Sequence, residues 1–351
     1  MSRDYSKLDY HADVAIIGAG PCGLFQVFEL GLYGLSSIVV DALPQIGGQC
    51  IQLYPNKPIY DIPALPCVTA KNLVENLVEQ SKPFSPQFLL GERIIQCNSL
   101  EIDAGFVLTS ESGKLVKVKA VVIATGAGVM TPVPLRVKDT EKWLGTHIFQ
   151  GVRDPEVHAN RRVAILGGGD SAFDWALELQ KIGAEVVLVH RSTRFRAATD
   201  SVTRFMSLCE QQRAQFFQGQ VKTLWVDNHQ FLGLKLSGAD HVTRSLSVDQ
   251  VIVCFGMVPD PFSLQAWNIE KEKFQVKVST ATFETSAPGI YAIGDCNYYA
   301  GKKKLILSGF HEAALAAFSI KERLSPNQKV HLEYTTTSSS ILSRLGLKTA
   351  V

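Results

Sequence analysis

The strongest constraint on the fold is a glycine-rich turn that occurs twice, each time between an apolar strand and a helix. The first turn spans 18–23 (GAGPCG) and the second spans 167–172 (GGGDSA). Glycines at this spacing let the backbone approach a pyrophosphate, which the N–H groups of the following helix then bind. Because strand–turn–helix–strand units build parallel sheets, the chain is predicted to be an α/β protein with two dinucleotide-binding units.

The two units differ in charge at the end of their second strand. Asp41 lies 18 residues after Gly23, whereas His190 lies 18 residues after Ala172 and is followed by Arg191. A carboxylate at this position hydrogen-bonds the free hydroxyls of a ribose, whereas a basic group suits a ribose 2′-phosphate. The first unit therefore predicts a dinucleotide without a 2′-phosphate, and the second predicts NADP(H). This combination is typical of a flavin enzyme supplied by NADPH.

Three arginines support the second prediction, because a guanidinium group binds phosphate oxygens through two parallel hydrogen bonds. They are Arg191, Arg194 and Arg196. The alternative is that these arginines form a solvated basic face and that Asp41 is an ordinary carboxylate at a strand end. The sequence leaves both interpretations open.

Composition and charge argue against several other classes of protein. The 351 residues carry a net charge of +2, which predicts no general affinity for nucleic acid. No apolar run reaches the roughly 20 residues that span a bilayer, and the first apolar run follows acidic residues, unlike a signal peptide. The seven cysteines are scattered without a CxxC pair, so no metal site is predicted. We expect reduced thiols in a cytoplasmic protein.

Two further strands indicate that the first unit is interrupted by the second. The segment 119–126 (KAVVIATG) precedes the second glycine turn, and 289–295 (GIYAIGD) follows it. We therefore predict two nested Rossmann-like three-layer dinucleotide-binding domains. The first is discontinuous and comprises 1–128 and 262–351, and the second comprises 129–261. Prolines near both crossings suit short, stiff connections.

Three other segments have clear patterns. Apolar residues within 69–80 recur at helical spacing, which predicts an amphipathic helix. The segment 221–248 alternates between apolar and polar residues, as in a small antiparallel sheet. The tail 334–340 (YTTTSSS) is too polar to enter a core, so its composition alone predicts disorder.

Taken together, these motifs resemble the thioredoxin reductase-like ferredoxin–NADP reductases, a branch of the flavoprotein disulfide reductases with two dinucleotide domains. The resemblance extends over the whole chain. Its most specific part is the combination of GGQ…LYP, GGGDSAxDWAL and a tail rich in Tyr and Thr. The matching segments are 18–25 (GAGPCGLF), 44–55 (PQIGGQCIQLYP), 57–64 (KPIYDIPA), 124–126 (ATG), 161–177 (RRVAILGGGDSAFDWAL), 190–197 (HRSTRFRA), 291–296 (YAIGDC) and 334–339 (YTTTSS).

The resemblance implies that the first domain binds FAD. By position, Cys22 lies at the pyrophosphate, Asp41 binds the adenosine ribose, and Ile94 contacts the adenine. Gln49 and Tyr54 would contact the isoalloxazine ring, and Tyr54 would stack on it. The implied FAD residues are Gly18, Gly20, Cys22, Gly23, Asp41, Gln49, Tyr54, Ile94, Met130, Asp295 (on the ribityl chain), Thr336 and Thr337.

The resemblance also implies a homodimer, in which the tail of one subunit serves the flavin of the other. Thr336, Thr337 and the stacking ring of Tyr334, opposite Tyr54, then belong to a lid. The second domain is implied to bind NADP(H) at its turn and at its basic segment. The residues implied are Gly167, Gly169, Asp170, Ser171, Arg191 and Arg196.

Departures from the family pattern bear on the reaction. Thioredoxin reductases carry a CxxC pair in the NADPH domain, and this chain has none. Related flavoproteins pair a cysteine at the position of Cys50 with another five residues later, where this chain has Pro55. The basic motif often has two adjacent arginines, and here the second is Ser192. With no disulfide relay, electrons are expected to leave the flavin directly.

We therefore predict an FAD-dependent ferredoxin (or flavodoxin)–NADP+ oxidoreductase, in which the flavin carries the chemistry and no side chain is catalytic. Hydride passes between NADPH and FAD, and single electrons pass to the acidic carrier. The run 302–304 (KKK) is a candidate docking site for that carrier, with a solvated loop as the alternative. Other functions left open are a disulfide or small-thiol reductase using Cys50 or Cys296, a flavin monooxygenase, and a redox sensor without turnover.

Overall fold

The computed structural model describes residues 8–100, 105–152, 154–260 and 267–347. The chain divides into two compact units. Unit 1 comprises 1–130 and 259–351, and unit 2 comprises 131–258. The sequence predicts the crossings between domains at 128/129 and 261/262, and the units divide at 130/131 and 258/259.

The elements follow the order that the two strand–helix–strand units predict, with short strands added between them. The helices are α1 (Pro21–Leu32), α2 (Gly48–Leu53), α3 (Ala70–Ser81), α4 (Asp170–Lys181), α5 (Thr199–Glu210), α6 (Ile306–Leu324) and α7 (Ser339–Arg344). Short 3₁₀ turns span Lys82–Phe84, Thr140–Trp143, Pro155–His158 and Gly294–Cys296.

The strands up to the first crossing are β1 (Tyr10–His11), β2 (Val14–Ile17), β3 (Ser37–Asp41), β4 (Pro58–Ile59), β5 (Val68–Thr69), β6 (Gln87–Leu90), β7 (Ile94–Ser99), β8 (Phe106–Ser110), β9 (Leu115–Val118), β10 (Ala120–Ile123) and β11 (Val129–Pro132). The next strands are β12 (Ile148–Phe149), β13 (Arg162–Leu166), β14 (Glu185–His190), β15 (Ala214–Asp227), β16 (Gln230–Gly238), β17 (Thr243–Ser247), β18 (Gln250–Val253) and β19 (Met257–Asp260). The last are β20 (Lys271–Glu272), β21 (Gln275–Lys277), β22 (Ile290–Ala292) and β23 (Asn297–Tyr298).

Unit 1 is built around a five-stranded parallel sheet in the order β22-β10-β2-β3-β6. The side chains of β2 show what packs on each face of this sheet, because alternate side chains of a strand point to opposite faces. Val14 and Ile16 pack with α1 and α6, whereas Ala15 packs toward a second sheet of order β1-β9-β8-β7. All three residues are fully buried. Unit 1 therefore has three layers, with helices on one face of the parallel sheet and a β-sheet on the other.

The helices of unit 1 begin and end at residues that favour those boundaries. Pro21 occupies the first turn of α1, where its missing N–H is no loss. The helix ends at Leu32, shortly before Gly34, which adopts the left-handed conformation with a φ of 69°. At the start of α3, the Thr69 hydroxyl caps the helix by accepting a hydrogen bond from the Asn72 N–H at 3.2 Å. This is the amphipathic helix predicted from the sequence.

Unit 2 contains a seven-stranded sheet in the order β12-β18-β13-β14-β15-β16-β17. Its strands are parallel up to β15 and antiparallel from β15 to β17. Val163 and Ile165 of β13 pack with α4 and α5, whereas Ala164 and Leu166 pack on the opposite face. The predicted antiparallel sheet is present as an extension of the main sheet, because β15 pairs with β14 at its start and with β16 along the rest of its length.

The two crossings between the units lie side by side. β11 leads into unit 2 and β19 leads out of it, and the two strands form a sheet of their own. The Thr131 hydroxyl donates to the Val258 carbonyl at 3.2 Å. The chain therefore enters and leaves unit 2 at neighbouring points.

Candidate functional site

A cavity of about 220 Å³ opens in unit 1 at the carboxyl ends of the parallel strands. Ligands of open α/β sheets bind at this edge, because strand ends and helix N-termini meet there. The cavity brings together most of the residues that the sequence assigned to FAD. Those that line it are Gly18, Gly20, Cys22, Asp41, Gln49, Tyr54, Ile94 and Asp295.

The first glycine turn is so tightly packed that side chains cannot replace two of its glycines. Gly18 has a φ of 118°, and a Cβ there would lie 2.3 Å from the carbonyl oxygen of Ala124. A Cβ on Gly23 would lie 1.9 Å from the carbonyl oxygen of Gly18. Gly20, by contrast, has no atom within 4 Å of an added Cβ. Gly18 and Gly23 thus shape the turn, and Gly20 leaves room above it.

The N-terminus of α1 is available to an anion. Its N-cap residue is Gly20, so no side chain hydrogen-bonds the first N–H groups, and no acidic residue lies in the first helical turn. Exposed N–H groups and the positive end of the helix dipole favour a phosphate at this point. The donors and the open space above Gly20 therefore fit the pyrophosphate of a dinucleotide.

Asp41 ends β3, and both of its carboxylate oxygens accept backbone hydrogen bonds. Oδ2 accepts from the Ala19 N–H at 2.6 Å, and Oδ1 accepts from the Leu43 N–H at 2.8 Å. Burial raises the pKa of Asp41, and the two backbone hydrogen bonds offset part of that rise. Each oxygen keeps a second lone pair, and the side chain lines the cavity. Asp41 therefore ties the strand end to the glycine turn while it faces the ligand space.

Gln49, Cys50 and Tyr54 reach the cavity from α2 and the residue that follows it. Gly48, with a φ of 55°, brings α2 against the first turn, where an added Cβ would lie 3.1 Å from the Cα of Gly20. The Cys50 thiol and the Tyr54 hydroxyl are 3.5 Å apart. Burial is the main cause of a raised pKa in both groups. The thiol beside the cavity is therefore in its protonated form at neutral pH.

Neither cysteine of the alternative thiol-reductase hypothesis has a thiol partner. All seven cysteines are free. The Cys296 thiol is buried and donates to the carbonyl groups of Ile293 at 3.1 Å and Ile123 at 3.3 Å. Burial raises the pKa of Cys296 to about 11. These environments are typical of structural cysteines rather than of nucleophilic ones.

A buried carboxylate that belongs to none of the sequence motifs holds the loop at one side of the cavity. Glu312 of α6 is fully buried and accepts hydrogen bonds from the Gly294 N–H at 2.7 Å and the Asn297 side chain at 2.8 Å. Its other oxygen accepts from the Tyr299 hydroxyl at 3.0 Å and from Lys302. The sequence signal for this role is a glutamate among small apolar residues, in GFHEAALAA. Glu312 thereby clamps a whole loop onto α6.

Asp295 lies in the clamped loop and lines the cavity. Burial raises the pKa of Asp295, and the nearby charges of Lys302 and Lys304 oppose that rise. The suggestion that Lys302 serves carrier docking is wrong, because its side chain is only 5 % exposed and is ion-paired with Glu312. Lys303 and Lys304 are exposed, and Lys304 also lines the cavity. The lysine run therefore divides into one structural residue and two surface residues.

Several other residues that line the cavity were also not predicted from the sequence. Glu92 and Arg93 follow β6, whose carboxyl end meets the same sheet edge as Asp41. The hydrogen bond and ion pair with Lys114 lower the pKa of Glu92 to about 2. The signal that would have indicated these two residues is their place after a parallel strand. The remaining unpredicted polar lining residues include Gln52 and Thr125.

Some of the predicted FAD residues do not line this cavity. Gly23 is buried beneath the turn, and the side chain of Met130 lies outside the described part of the structure. In the tail, Tyr334 is 66 % exposed, and Thr336 and Thr337 are exposed as well. The single chain therefore leaves the tail residues on its surface.

The tail is ordered, in contrast to the disorder predicted from composition. The Ser338 N–H donates to the Tyr334 carbonyl at 2.9 Å, which closes a turn. The hydroxyls of Ser338 and Ser340 donate to the Glu333 carboxylate. Arg344 of α7 donates to a backbone carbonyl at the end of α1. Local polar bonds and one anchor on unit 1 therefore replace the apolar core that the tail lacks.

In unit 2, the second glycine turn contacts the basic segment that follows β14. A Cβ on Gly168 would lie 2.6 Å from the ring of His190. The Arg196 N–H donates to the Gly168 carbonyl at 2.8 Å. The Asp170 carboxylate accepts from the Ala198 N–H at 2.8 Å. These contacts hold the basic segment against the glycine turn.

The second turn, like the first, leaves open space at one glycine. Gly169 has no atom within 4 Å of an added Cβ, and the side chains of Arg191, Arg194 and Arg196 are exposed. Burial, followed by the charges of Arg191 and Arg196, lowers the pKa of His190. The predicted NADP(H) residues that the turn and the segment bring together are Gly167, Gly169, Asp170, Ser171, Arg191 and Arg196.

No group of three or more His, Cys, Asp or Glu side chains in residues 8–100, 105–152, 154–260 and 267–347 is arranged to hold a metal ion. Within the same ranges, none of the helices combines the length and the apolar character that a bilayer crossing demands.

The chain also matches the pattern of a known protein family. Residues 12–317 match the pyridine nucleotide-disulphide oxidoreductases, and this range contains both glycine turns. The chain belongs to this family. The membership confirms the predicted superfamily and the nested Rossmann-like fold, and it makes the protein an oxidoreductase.

Similar proteins of this oxidoreductase family carry a more specific name. The chain is 48 % identical over 336 residues to a ferredoxin–NADP reductase of Colwellia psychrerythraea, with 96 % of each chain covered. It is 45 % identical to ferredoxin–NADP reductase 2 of Cupriavidus metallidurans, over 97 % of this chain and 92 % of that one. Identity at this level over nearly full length extends to both units.

Solved structures with the same fold include proteins with other names. The thioredoxin reductase of T. acidophilum aligns with a TM-score of 0.68 at 19 % identity, over 90 % of this chain and 99 % of that chain. The bacillithiol disulfide reductase of Staphylococcus aureus also gives 0.68, at 20 % identity, over 91 % and 100 %. At such identities the likeness concerns the fold alone.

Proposed function

We propose that this oxidoreductase is an FAD-dependent ferredoxin–NADP reductase. The observation that carries the proposal is the 48 % identity, over 96 % of both chains, to a protein of that name. The overall reaction is NADPH plus two oxidised ferredoxins giving NADP+, a proton and two reduced ferredoxins. Atoms and electrons balance, because NADPH releases two electrons with one hydride and each ferredoxin accepts one.

The cavity of unit 1 would hold FAD. The free N–H groups of α1 and the space above Gly20 would receive its pyrophosphate, and the lone pairs of Asp41 would receive the adenosine ribose. Gln49 and Tyr54 would contact the isoalloxazine ring, and Asp295 would contact the ribityl chain. When bound, FAD supplies the chemistry that converts two-electron transfer into single-electron transfer. The side chains of this protein bind and orient it.

NADPH binds at the second turn. The N-terminus of α4 would receive the pyrophosphate; unlike α1, this helix has an acidic residue, Asp170, in its first turn, where the carboxylate accepts the Ala198 N–H. Arg191 and Arg196 receive the 2′-phosphate, because their exposed guanidinium groups stand on a segment that is hydrogen-bonded to the turn. Ser192, whose hydroxyl contacts the backbone of Arg194 at 3.4 Å, occupies the position where a second adjacent arginine is common.

The two cofactors are linked without a thiol relay. Cys50 lines the cavity, but its closest polar partner is the Tyr54 hydroxyl, and every cysteine of the chain is free. This arrangement supports direct electron transfer from the flavin to the carrier, with flavodoxin as a second acceptor of the same type. We also propose a cytoplasmic homodimer, in which the exposed tail residues Tyr334, Thr336 and Thr337 serve the partner subunit.

The test is NADPH-dependent cytochrome c reduction with and without added ferredoxin. We expect ferredoxin to stimulate the rate, because it carries single electrons from the flavin to the cytochrome. Ferricyanide reduction serves as the control for a working flavin and NADPH site. A protein that reduces ferricyanide but shows no stimulation by ferredoxin is not a ferredoxin–NADP reductase.

The thiol-reductase alternative is tested with a matched variant. Cys50→Ser keeps the size and hydrogen-bonding capacity at this position and removes the thiol. We expect NADPH oxidation with small disulfides to be absent in the parent protein, and ferredoxin reduction to be unchanged in the variant. Disulfide-dependent NADPH oxidation that disappears with Cys50→Ser would favour the alternative.

A further inference from the structure

A small three-stranded sheet lies beside the cavity of unit 1. Its strand order is β20-β21-β23, and β20 and β21 form a hairpin. In the pairing of β21 with β23, Val276 aligns with Asn297 and Lys277 with Tyr298. Extending that register toward the hairpin tip puts Phe274 level with the position of Asp295. Adjacent strands lie about 4.8 Å apart, so the tip stands next to the cavity-lining loop.

The hairpin is bonded directly to that loop. The Gln275 side-chain amide donates to the carbonyl of Asp295 at 3.2 Å and to the carbonyl of Asn297 at 2.7 Å. On the other side, the buried Glu312 clamps the same loop. The hairpin is therefore hydrogen-bonded to the loop that forms part of the cavity wall.

The tip carries an aromatic ring in water. Phe274 is 76 % exposed, the highest exposure among the large hydrophobic residues of the described ranges, and Tyr298 on the neighbouring strand is 39 % exposed. Lys273, with a φ of 58°, makes the tight turn that projects Phe274 outward. Exposed aromatic rings are enriched in protein interfaces.

On the hairpin segment 270–277 and on the loop that follows β23, exposed lysines outnumber exposed carboxylates, of which Glu270 is one. Lys273 and Lys303 are exposed, and neither forms an ion pair with another described residue. Lys277 is 3.9 Å from Glu272, which neutralises part of the hairpin charge. Lys304, at the rim of the cavity, adds a further exposed cation. The whole chain has a net charge of only +2, so these exposed lysines form a positively charged part of a nearly neutral protein and can attract an acidic partner.

We propose that this face, made of Lys273, Phe274, Tyr298 and Lys303, is the docking surface for ferredoxin. The proposal rests on the proposed function. Ferredoxins are acidic one-electron carriers that must approach the flavin, and this basic face with an aromatic centre adjoins the cavity wall. The sequence-based candidate, the lysine run 302–304, contributes only its exposed members. Positive charge steers the carrier, and the Phe274 ring supplies the central apolar contact.

The test combines charge reversal with removal of the aromatic ring. Lys273→Glu with Lys303→Glu reverses two exposed charges, and Phe274→Ser removes the ring in a separate variant. The control is Lys222→Glu with Lys235→Glu, which makes the same change in net charge on exposed strands of unit 2. Ferredoxin and ferricyanide reduction are measured for each protein at low and high ionic strength.

We expect the double charge reversal to raise the KM for ferredoxin by about tenfold at low salt, with a smaller effect at high salt because salt screens exposed charges. Phe274→Ser is expected to raise it at both salt concentrations. Ferricyanide reduction and the KM for NADPH stay unchanged in all variants, which also shows that they fold. An unchanged KM for ferredoxin, or an equal rise in the unit 2 control, overturns the proposal. If the parent protein reduces ferricyanide but not ferredoxin, the proposed function itself fails.

Discussion

The two glycine turns have the same local design but different surroundings. At the first, the strand-end carboxylate of Asp41 is bonded to the turn, and the ligand space is a cavity. At the second, the ring of His190 packs against Gly168, and the nearby arginines are exposed. Both turns leave one glycine, Gly20 or Gly169, facing open space. Both turns thus leave space beside a helix N-terminus, although α4 carries a carboxylate, Asp170, in its first turn and α1 carries none.

We propose that this difference reflects how long each ligand would stay bound. A cavity that is walled by strand ends, α2 and a clamped loop suits a cofactor that remains bound through many turnovers. An open turn with exposed arginines suits a ligand that binds, reacts and leaves in each cycle. Substitutions at the first turn should therefore affect folding and cofactor retention, and substitutions at the second should affect substrate choice.

The largest effect is expected for Gly23→Ala. A Cβ there would lie 1.9 Å from the Gly18 carbonyl oxygen, a backbone atom that cannot move without opening the turn. We expect a loss of about 3 kcal/mol or more in the free energy of unfolding, measured by urea denaturation, together with loss of bound flavin measured by absorbance.

Gly20→Ala is the matched control for that substitution. An added Cβ at Gly20 has no atom within 4 Å, and the backbone φ is −75°, which any residue can adopt. The variant should therefore be as stable as the parent when flavin is removed, but should bind FAD more weakly because the methyl group fills the pyrophosphate space. Equal flavin affinity in Gly20→Ala and the parent would argue against a pyrophosphate at this turn.

The next largest effect is expected at Glu312, the buried carboxylate that holds the cavity loop of unit 1. Glu312→Gln removes the negative charge and leaves Lys302 buried without its counter-ion. Breaking a buried ion pair typically costs 3–5 kcal/mol, so we expect a destabilisation of about 3 kcal/mol in thermal or urea unfolding. Adding Lys302→Met removes the second charge and should recover most of the loss. A double variant as unstable as the single one contradicts this account.

A smaller effect is expected at the second turn. Arg191→Ala with Arg196→Ala removes two exposed guanidinium groups and should lower the preference for NADPH over NADH by about tenfold to a hundredfold, with unfolding unchanged. The measurement is kcat/KM for both nucleotides with ferricyanide as acceptor. An unchanged ratio means that these arginines are a solvated face and not the 2′-phosphate site.

The smallest effect is expected for Ser192→Arg. This substitution places a second arginine next to Arg191, where the present side chain only contacts the backbone of Arg194. An exposed charge contributes about 0.2–1 kcal/mol, so the preference for NADPH should rise by a few fold. Thr193→Arg, at the next exposed position, controls for the added charge alone. An equal gain in both variants would show that position 192 has no special role.

The sequence predicted the positions of elements correctly where a residue type, such as glycine in a tight turn, is needed for one particular conformation. The glycine turns, Asp41 and the strands that flank them lie where the spacing predicts. The tail was misjudged because composition measures apolar content, whereas Glu333 and Arg344 hold the tail by polar bonds. Lys302 was misjudged because its partner, Glu312, is ten residues away on a helix, and no local pattern shows which of three lysines turns inward.

Only some of the residues that line the cavity were predicted, because a local pattern does not show which distant segments meet in the fold. Residues within motifs, such as Gln49 and Asp295, were named through the family resemblance of those motifs, and both line the cavity. Glu92 and Arg93 belong to the site because β6 joins the parallel sheet beside β3, and this pairing is decided by the packing of whole strands. A single sequence does not contain that information in any short segment.

The paired crossings have a consequence for how the family can change over time. The chain leaves unit 1 after β10 and returns before β22, and these two strands are neighbours in the parallel sheet. Because β11 and β19 also lie together, the ends of unit 2 are adjacent, which is the arrangement that tolerates insertion of a whole domain. Unit 2 is thus an inserted domain, and a single genetic event could add, remove or exchange it without altering the strand order of unit 1.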